Sequence, residues 1–185
     1  MIDHTEPVGG DDDELHLPPR EQRIERHARG DRNEQTARTL DRYLRARARH
    51  AQAWRLQLWL GDSNYGGNTS VEDLAPLLAG HSFPELEYLG LQDAEFADDI
   101  ATAVAQAPLL ARLQGLDLSM GTLSDVGGAA LLASPHIRGL KYLNLRHHYL
   151  SDGMMARLRQ LGITVNVEEQ EESHDDDDRY VEVAE

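Results

Sequence analysis

Residues 140–152 read LKYLNLRHHYLSD, and their interpretation decides the fold. Arg146, His147, His148 and Asp152 lie within seven residues, a density that metal ligation or proton transfer could use. The apolar spacing gives a different account. LEYLGLQDAEF from Leu86 and LQGLDLSMGTL from Leu113 carry apolar residues at the same first, fourth, sixth and eleventh places as the stretch from Leu140, and each begins 27 residues before the next. The agreement runs on: Asp98, Asp125 and Asp152 share one place, Pro108 and Pro135 another, and Val104, Leu131 and Leu158 a third. A period held at this many places is the mark of a repeat architecture.

An L-x-x-L-x-L segment alternates apolar and polar residues, which suits a short strand with one buried face. Each strand leads into a helical pattern. SDVGGAALLAS opens with Ser124 and SDGMMARLRQLG with Ser151, each an N-cap with an acid directly after it where the helix dipole favours one, and Gly162 is placed to stop the second helix. One strand and one helix cannot bury an apolar face alone, whereas stacked copies can. The predicted fold is therefore an α/β leucine-rich-repeat solenoid of about four units, 27–33 residues each, with parallel strands on the concave face and helices on the convex face. The earliest unit starts at Ala53, with Leu56 and Leu58 in its strand, NYGGN as a loop, and Ser70 capping a helix to about Leu78.

The chain has 185 residues, enough for one domain with a real core. Acids outnumber Lys and Arg 33 to 18, a net charge of −15, which argues against bare nucleic acid and anionic membrane as partners. Without cysteine there is no disulfide, zinc–thiolate site or Cys nucleophile. No secretory signal is visible, and no apolar run approaches the roughly 20 residues of a membrane span, so the expected location is cytoplasmic. The charge is uneven. Residues 20–50 hold ten Arg against five acids, while residues 168–185 hold ten acids against one Arg. The expected organisation is a disordered N-terminus over 1–19, a basic segment over 20–50, the repeat domain over 51–167, and an acidic tail over 168–185 ending in the β-like RYVEV.

LWLGDSNYGG, the run from LEYLGL to GGAALL, LRHHYLSD and the ending DDDDRYVEVAE together resemble the C-terminal half of a bacterial family of leucine-rich-repeat proteins with ribonuclease-inhibitor-like repeats, over about residues 54–185. That family has no assigned biochemical activity. Its genes often neighbour those of radical-chemistry, ATP-grasp and sulfatase-like enzymes, so the resemblance implies at most a shared pathway. Its members usually carry further repeats in advance of the unit at Ala53, which residues 1–50 here do not match. Two readings of the basic segment stay open: a helix with Leu40, Tyr43, Leu44 and Trp54 on its apolar side, or a divergent or out-of-frame remnant.

In the repeat, the third, fifth and seventh places point from the concave face. Their rows read Arg55, Tyr88, Gly115, Tyr142; Gln57, Gly90, Asp117, Asn144; and Trp59, Gln92, Ser119, Arg146. With strands about 4.8 Å apart, these form a patch roughly 15 Å across. Tyr, Trp and Arg are the types that anchor protein interfaces. The candidate partner-binding residues are Arg55, Trp59, Tyr88, Gln92, Asp117, Tyr142, Asn144 and Arg146, with His147 on the rim. His148 is expected to satisfy turn backbone. Adjacent histidines in an extended segment point to opposite faces, and Asp152 belongs to a helix, so no metal, cofactor or catalytic residue is expected.

The expected function is a non-enzymatic module that binds a protein or peptide on its concave face. The alternative is an accessory or substrate protein of a bacterial modifying-enzyme pathway, recognised through its acidic C-terminus. The tail lacks the spaced ligands and turning Gly of a calcium loop, and such acidic blocks are usually solvated; RYVEV is β-like, so a docked or partner-read terminus stays open beside a free one. An uncovered solenoid end would offer a surface for self-association.

Overall fold

The structure, a computed structural model, describes residues 23–27 as backbone, and residues 54–63, 69–173 and 179–183 in full. The N-terminus over 1–19, most of the basic segment, the NYGGN loop and the four-Asp run lie outside the described residues. The chain is a mixed α/β protein. Five strands make a parallel sheet: β2 (Arg55–Gly61), β3 (Tyr88–Ala94), β4 (Gly115–Asp117), β5 (Tyr142–Asn144) and β6 (Thr164–Asn166). A further strand, β1 (Arg23–His27), pairs in parallel with β2 at the sheet's edge. These five residues are extended, which departs at this stretch from the helical one of the two readings left open for the basic segment. Strand order along the sheet equals order along the chain.

Helices α1 (Val71–Leu78), α2 (Ala97–Gln106), α3 (Asp125–Ala133) and α4 (Asp152–Arg159) alternate with the strands. Each crossover carries the chain back so that the next strand lies parallel. The caps are local and chemical. Ser124 Oγ accepts from the Val126 N–H and Ser151 Oγ from the Met154 N–H, each at 3.2 Å. At α1 the Ser70 N–H and hydroxyl both donate to Asp73. Gly162 lies just past α4 with φ of +80°, a backbone state that glycine enters without steric cost.

The three aspartates of the helical first turns do more than face a dipole. Asp98 accepts from the Ser124 N–H (2.8 Å), the Ser124 hydroxyl and the Gly127 N–H, so it ties α2 to the start of α3. Asp125 repeats the bond to the Ser151 N–H (2.8 Å) and hydroxyl. Asp152 accepts from Gln170 Nε2. Charge-assisted bonds of this kind link successive units outside the sheet.

The core lies between sheet and helices. Leu89, Leu116 and Leu143 from the fourth place are wholly inaccessible, as are Leu131 and Leu158 from the helices. Leu86, Leu113 and Leu140 from the first place, and Leu91, Leu118 and Leu145 from the sixth, complete the same cluster. Burying a leucine side chain stabilises by roughly 1.5–3 kcal/mol, so these rows hold the stack together. Among the described residues, no helix is long and apolar enough to cross a membrane.

Candidate functional site

The sheet register aligns the polar rows as the repeat requires. Arg55, Tyr88, Gly115 and Tyr142 are successive Cα partners, as are Gln57, Gly90, Asp117 and Asn144, and Trp59 pairs with Gln92. The rows do not behave uniformly. Tyr88, Gln92 and Asp117 are each less than 8% exposed, although they were expected to face a partner. Their polar atoms are spent on one another. Tyr88 Oη donates to Asp117 Oδ2 at 2.8 Å, and Gln92 Nε2 donates to the same oxygen and to Ser119 Oγ. Gln57 Nε2 donates to Gln92 Oε1, while the Ser119 N–H and hydroxyl donate to Asp117 Oδ1.

Glycine makes this closure possible. A Cβ on Gly115 would sit 2.5 Å from Tyr88 Cδ2, so the Tyr88 ring lies across the bare backbone of β4 to reach Asp117. Gly90 has the same relation to Gln57, whose Cγ would lie 3.1 Å from an added Cβ. The guanidinium of Arg55 covers the Tyr88 ring at 4.0 Å from its centroid, a cation–π distance, and Arg55 Nε donates to Gln57 Oε1. Burial, aided by the Asp117 carboxylate, pushes the Tyr88 hydroxyl well above the usual phenol range and keeps it a neutral donor.

Beyond β4 the rows carry side chains in place of glycine, and the face opens. Tyr142, Asn144 and Arg146 are half-exposed, as are Arg55 and Trp59 on β2. Burial raises the Tyr142 pKa too, so its hydroxyl also stays protonated. Arg146 is held: its two terminal nitrogens donate to Glu182 at 2.8 and 2.9 Å, and one pairs with Glu169. Those bonds raise its pKa further.

Glu182 belongs to the C-terminal segment, which is docked. Its landing place is a row of turns at the strand ends. Asp93, Met120 and His147 occupy the eighth place of successive units, and all three adopt positive φ, at 57°, 70° and 55°; Glu169, with φ of 56°, comes next in line. The segment crosses this row. The Tyr180 N–H donates to Tyr149 Oη (3.0 Å), the Glu182 N–H to the Met120 carbonyl (2.9 Å), and the Val183 N–H to Asp93 Oδ1 (3.1 Å). Val181 is 2% exposed. Burial raises the pKa of the Asp93 carboxyl, a shift that its bond to Val183 opposes.

His147 is covered by this arrangement instead of standing on an accessible rim. It is 4% exposed, with Tyr180 and Tyr149 edge-on to its ring at centroid distances of 5.7 and 6.3 Å. The left-handed turn at His147 turns its ring under the tail. His148 is fully buried, and its Nδ1 accepts from the Leu150 N–H at 3.1 Å, so it serves turn backbone and carries its proton on Nε2. Burial pushes its pKa below the usual range. No group of three or more metal-ligating side chains occurs among the described residues.

No protein-family model matches the chain, and no curated protein does. A solved structure does. It is the crystal structure of a Bacteroides fragilis protein from the Northeast Structural Genomics Consortium, similar at a TM-score of 0.63 and 30% identity. The match covers 69% of this chain and 36% of that one, so the chain spans about a third of the length of its neighbour.

Of the ledge residues, Asp93, Met120 and Tyr149 were not singled out by their types; Asp93 and Met120 share the place of His147 at 27-residue spacing, while Tyr180 and Val181 lie in the RYVEV segment noted as β-like.

Proposed function

We propose that the chain is a leucine-rich-repeat solenoid of the ribonuclease-inhibitor-like kind, acting as a non-enzymatic module that binds a protein or peptide on its strand face. Support for the solenoid comes from strand order equal to chain order and from eighth-place turns repeating every 27 residues with the same left-handed backbone.

The binding role rests on one observation above all. On β2–β4 the strand-face polar groups are already saturated by one another, which leaves a rigid platform edged by the half-exposed Arg55, Trp59, Tyr142, Asn144 and Arg146. A surface ordered in advance loses little entropy when a partner docks. Tyr and Arg are suited to such contacts because they bring large area and directed polar groups to a small patch.

Affinity capture from native lysate tests this role, with the full chain set against Tyr142→Ala/Asn144→Ala. Both substitutions lie outside the buried network, so they spare the fold. The expected outcome is loss of at least one captured protein by the double variant; equal recovery of every protein by both chains would overturn the role.

A further inference from the structure

We propose that the ledge formed by the eighth-place turns is a peptide-binding site for a partner segment with an aromatic, an aliphatic and an acidic residue in succession, and that Tyr180-Val181-Glu182 is its resident, displaceable occupant. The ledge is separate from the strand-face site, since of the face residues only Arg146 takes part.

Three features make the ledge a receptor. Its backbone recognition is independent of sequence, because three N–H groups of the occupant are bonded by Tyr149 Oη, the Met120 carbonyl and Asp93 Oδ1. Extended peptides are captured in this way elsewhere, with main-chain bonds giving affinity and side-chain pockets giving choice. Side-chain selection comes next. The aromatic position stacks edge-on to His147 and Tyr149, the aliphatic position is enclosed with Val181 at 2% exposure, and the acid position meets the fork of Arg146 through two parallel bonds. A basic or apolar residue at the third position would leave the guanidinium without this carboxylate.

Exchange is the third feature. Arg179–Val183 form neither helix nor strand, Tyr180 is 51% and Val183 43% exposed, and Val181 is the one apolar side chain of the segment that is enclosed. Ordering these residues costs conformational entropy, set against one enclosed valine, three backbone bonds, the Tyr180 bond to Glu171 and the ion pairs of Glu182 with Arg146 and of Arg179 with Asp98, most of them at the surface. A tethered occupant competes at an effective concentration of about millimolar, so a partner segment gains access by matching the same three positions.

The test uses full-length chains and the fluorescein-labelled heptapeptide RYVEVAE, monitored by anisotropy. Val181→Asp/Glu182→Ala unseats the chain's own segment, and this variant should bind the peptide at least about tenfold more tightly than the unaltered chain does. Adding Arg146→Ala should remove that gain. Absence of binding to the unseated variant while its circular dichroism matches the unaltered chain, equal binding to both chains, or indifference to Arg146→Ala would each overturn the proposal. If the double variant does not fold, the unaltered chain decides: excess isotopically heavy peptide should accelerate amide exchange of the chain's own residues 180–183, and unchanged exchange overturns it.

Discussion

The strand face has two halves that share a register and differ in fate. Over β2–β4, Gln57, Tyr88, Gln92, Asp117 and Ser119 close into a buried network; over β5, Tyr142, Asn144 and Arg146 remain half-exposed, and Arg146 is taken by the tail. The residue types are alike, so type does not separate them. What separates them is glycine: Gly90 and Gly115 leave bare backbone over which neighbouring side chains lie, whereas Tyr142 and Asn144 occupy the corresponding sites on β5. Beside Gly90 and Gly115, polar side chains of the neighbouring strand lie down on the sheet instead of facing outward.

The hardest blow to this contrast would be equal sensitivity of its two tyrosines. Tyr88→Ala removes a buried ring, its bond to Asp117 and the platform under Arg55, and should cost about 3 kcal/mol in chemical denaturation, against under about 1 kcal/mol for Tyr142→Ala. Asp117→Ala tests the hub. It strands the Tyr88 hydroxyl and the Ser119 N–H in a buried place and should cost about 2 kcal/mol by the same measurement.

A smaller effect belongs to Gly115→Ala, whose Cβ would displace the Tyr88 ring; about 1–2 kcal/mol is expected, with the Tyr88 near-ultraviolet dichroism altered. The pH dependence sharpens the other half. His148 is buried behind β5 with its pKa lowered, so the unfolded chain takes up its proton at a higher pH than the folded chain does. Its contribution is complete above the ordinary histidine value of about 6.5 and is lost as the pH falls from there towards the lowered folded value. Thermal melts between pH 7 and 5 should show this decline, at no more than about 1.4 kcal/mol per pH unit, and His148→Gln should flatten it.

Much of the fold was legible because the signal was periodic. Leu86, Leu113 and Leu140 announce their strands at one spacing, and Ser70, Ser124 and Ser151 announce helix starts by cap chemistry alone. The placing of Tyr88 and Tyr142 in one row came from the same period, and that of Arg55 from the Leu56 and Leu58 strand pattern of the longer unit before them. Burial within those rows was not legible, because it depends on which direction Tyr88 leans, and that is set by the neighbouring strand. The covering of His147 was hidden for a similar reason: Tyr180 lies 33 residues further along the chain, outside any repeat. For the run from Arg23 to His27 the sequence left a helix and a divergent remnant open, and neither reading contained its pairing with β2, which lies outside local composition.

The most direct test is hydroxyl-radical footprinting of the unaltered full chain, read by mass spectrometry at individual tyrosines. Tyr142 and Tyr180 should label several times faster than Tyr88, whose ring is enclosed between Arg55 and the backbone of β4. Labelling of Tyr88 as fast as Tyr142 would contradict the division of the face into a closed and an open half.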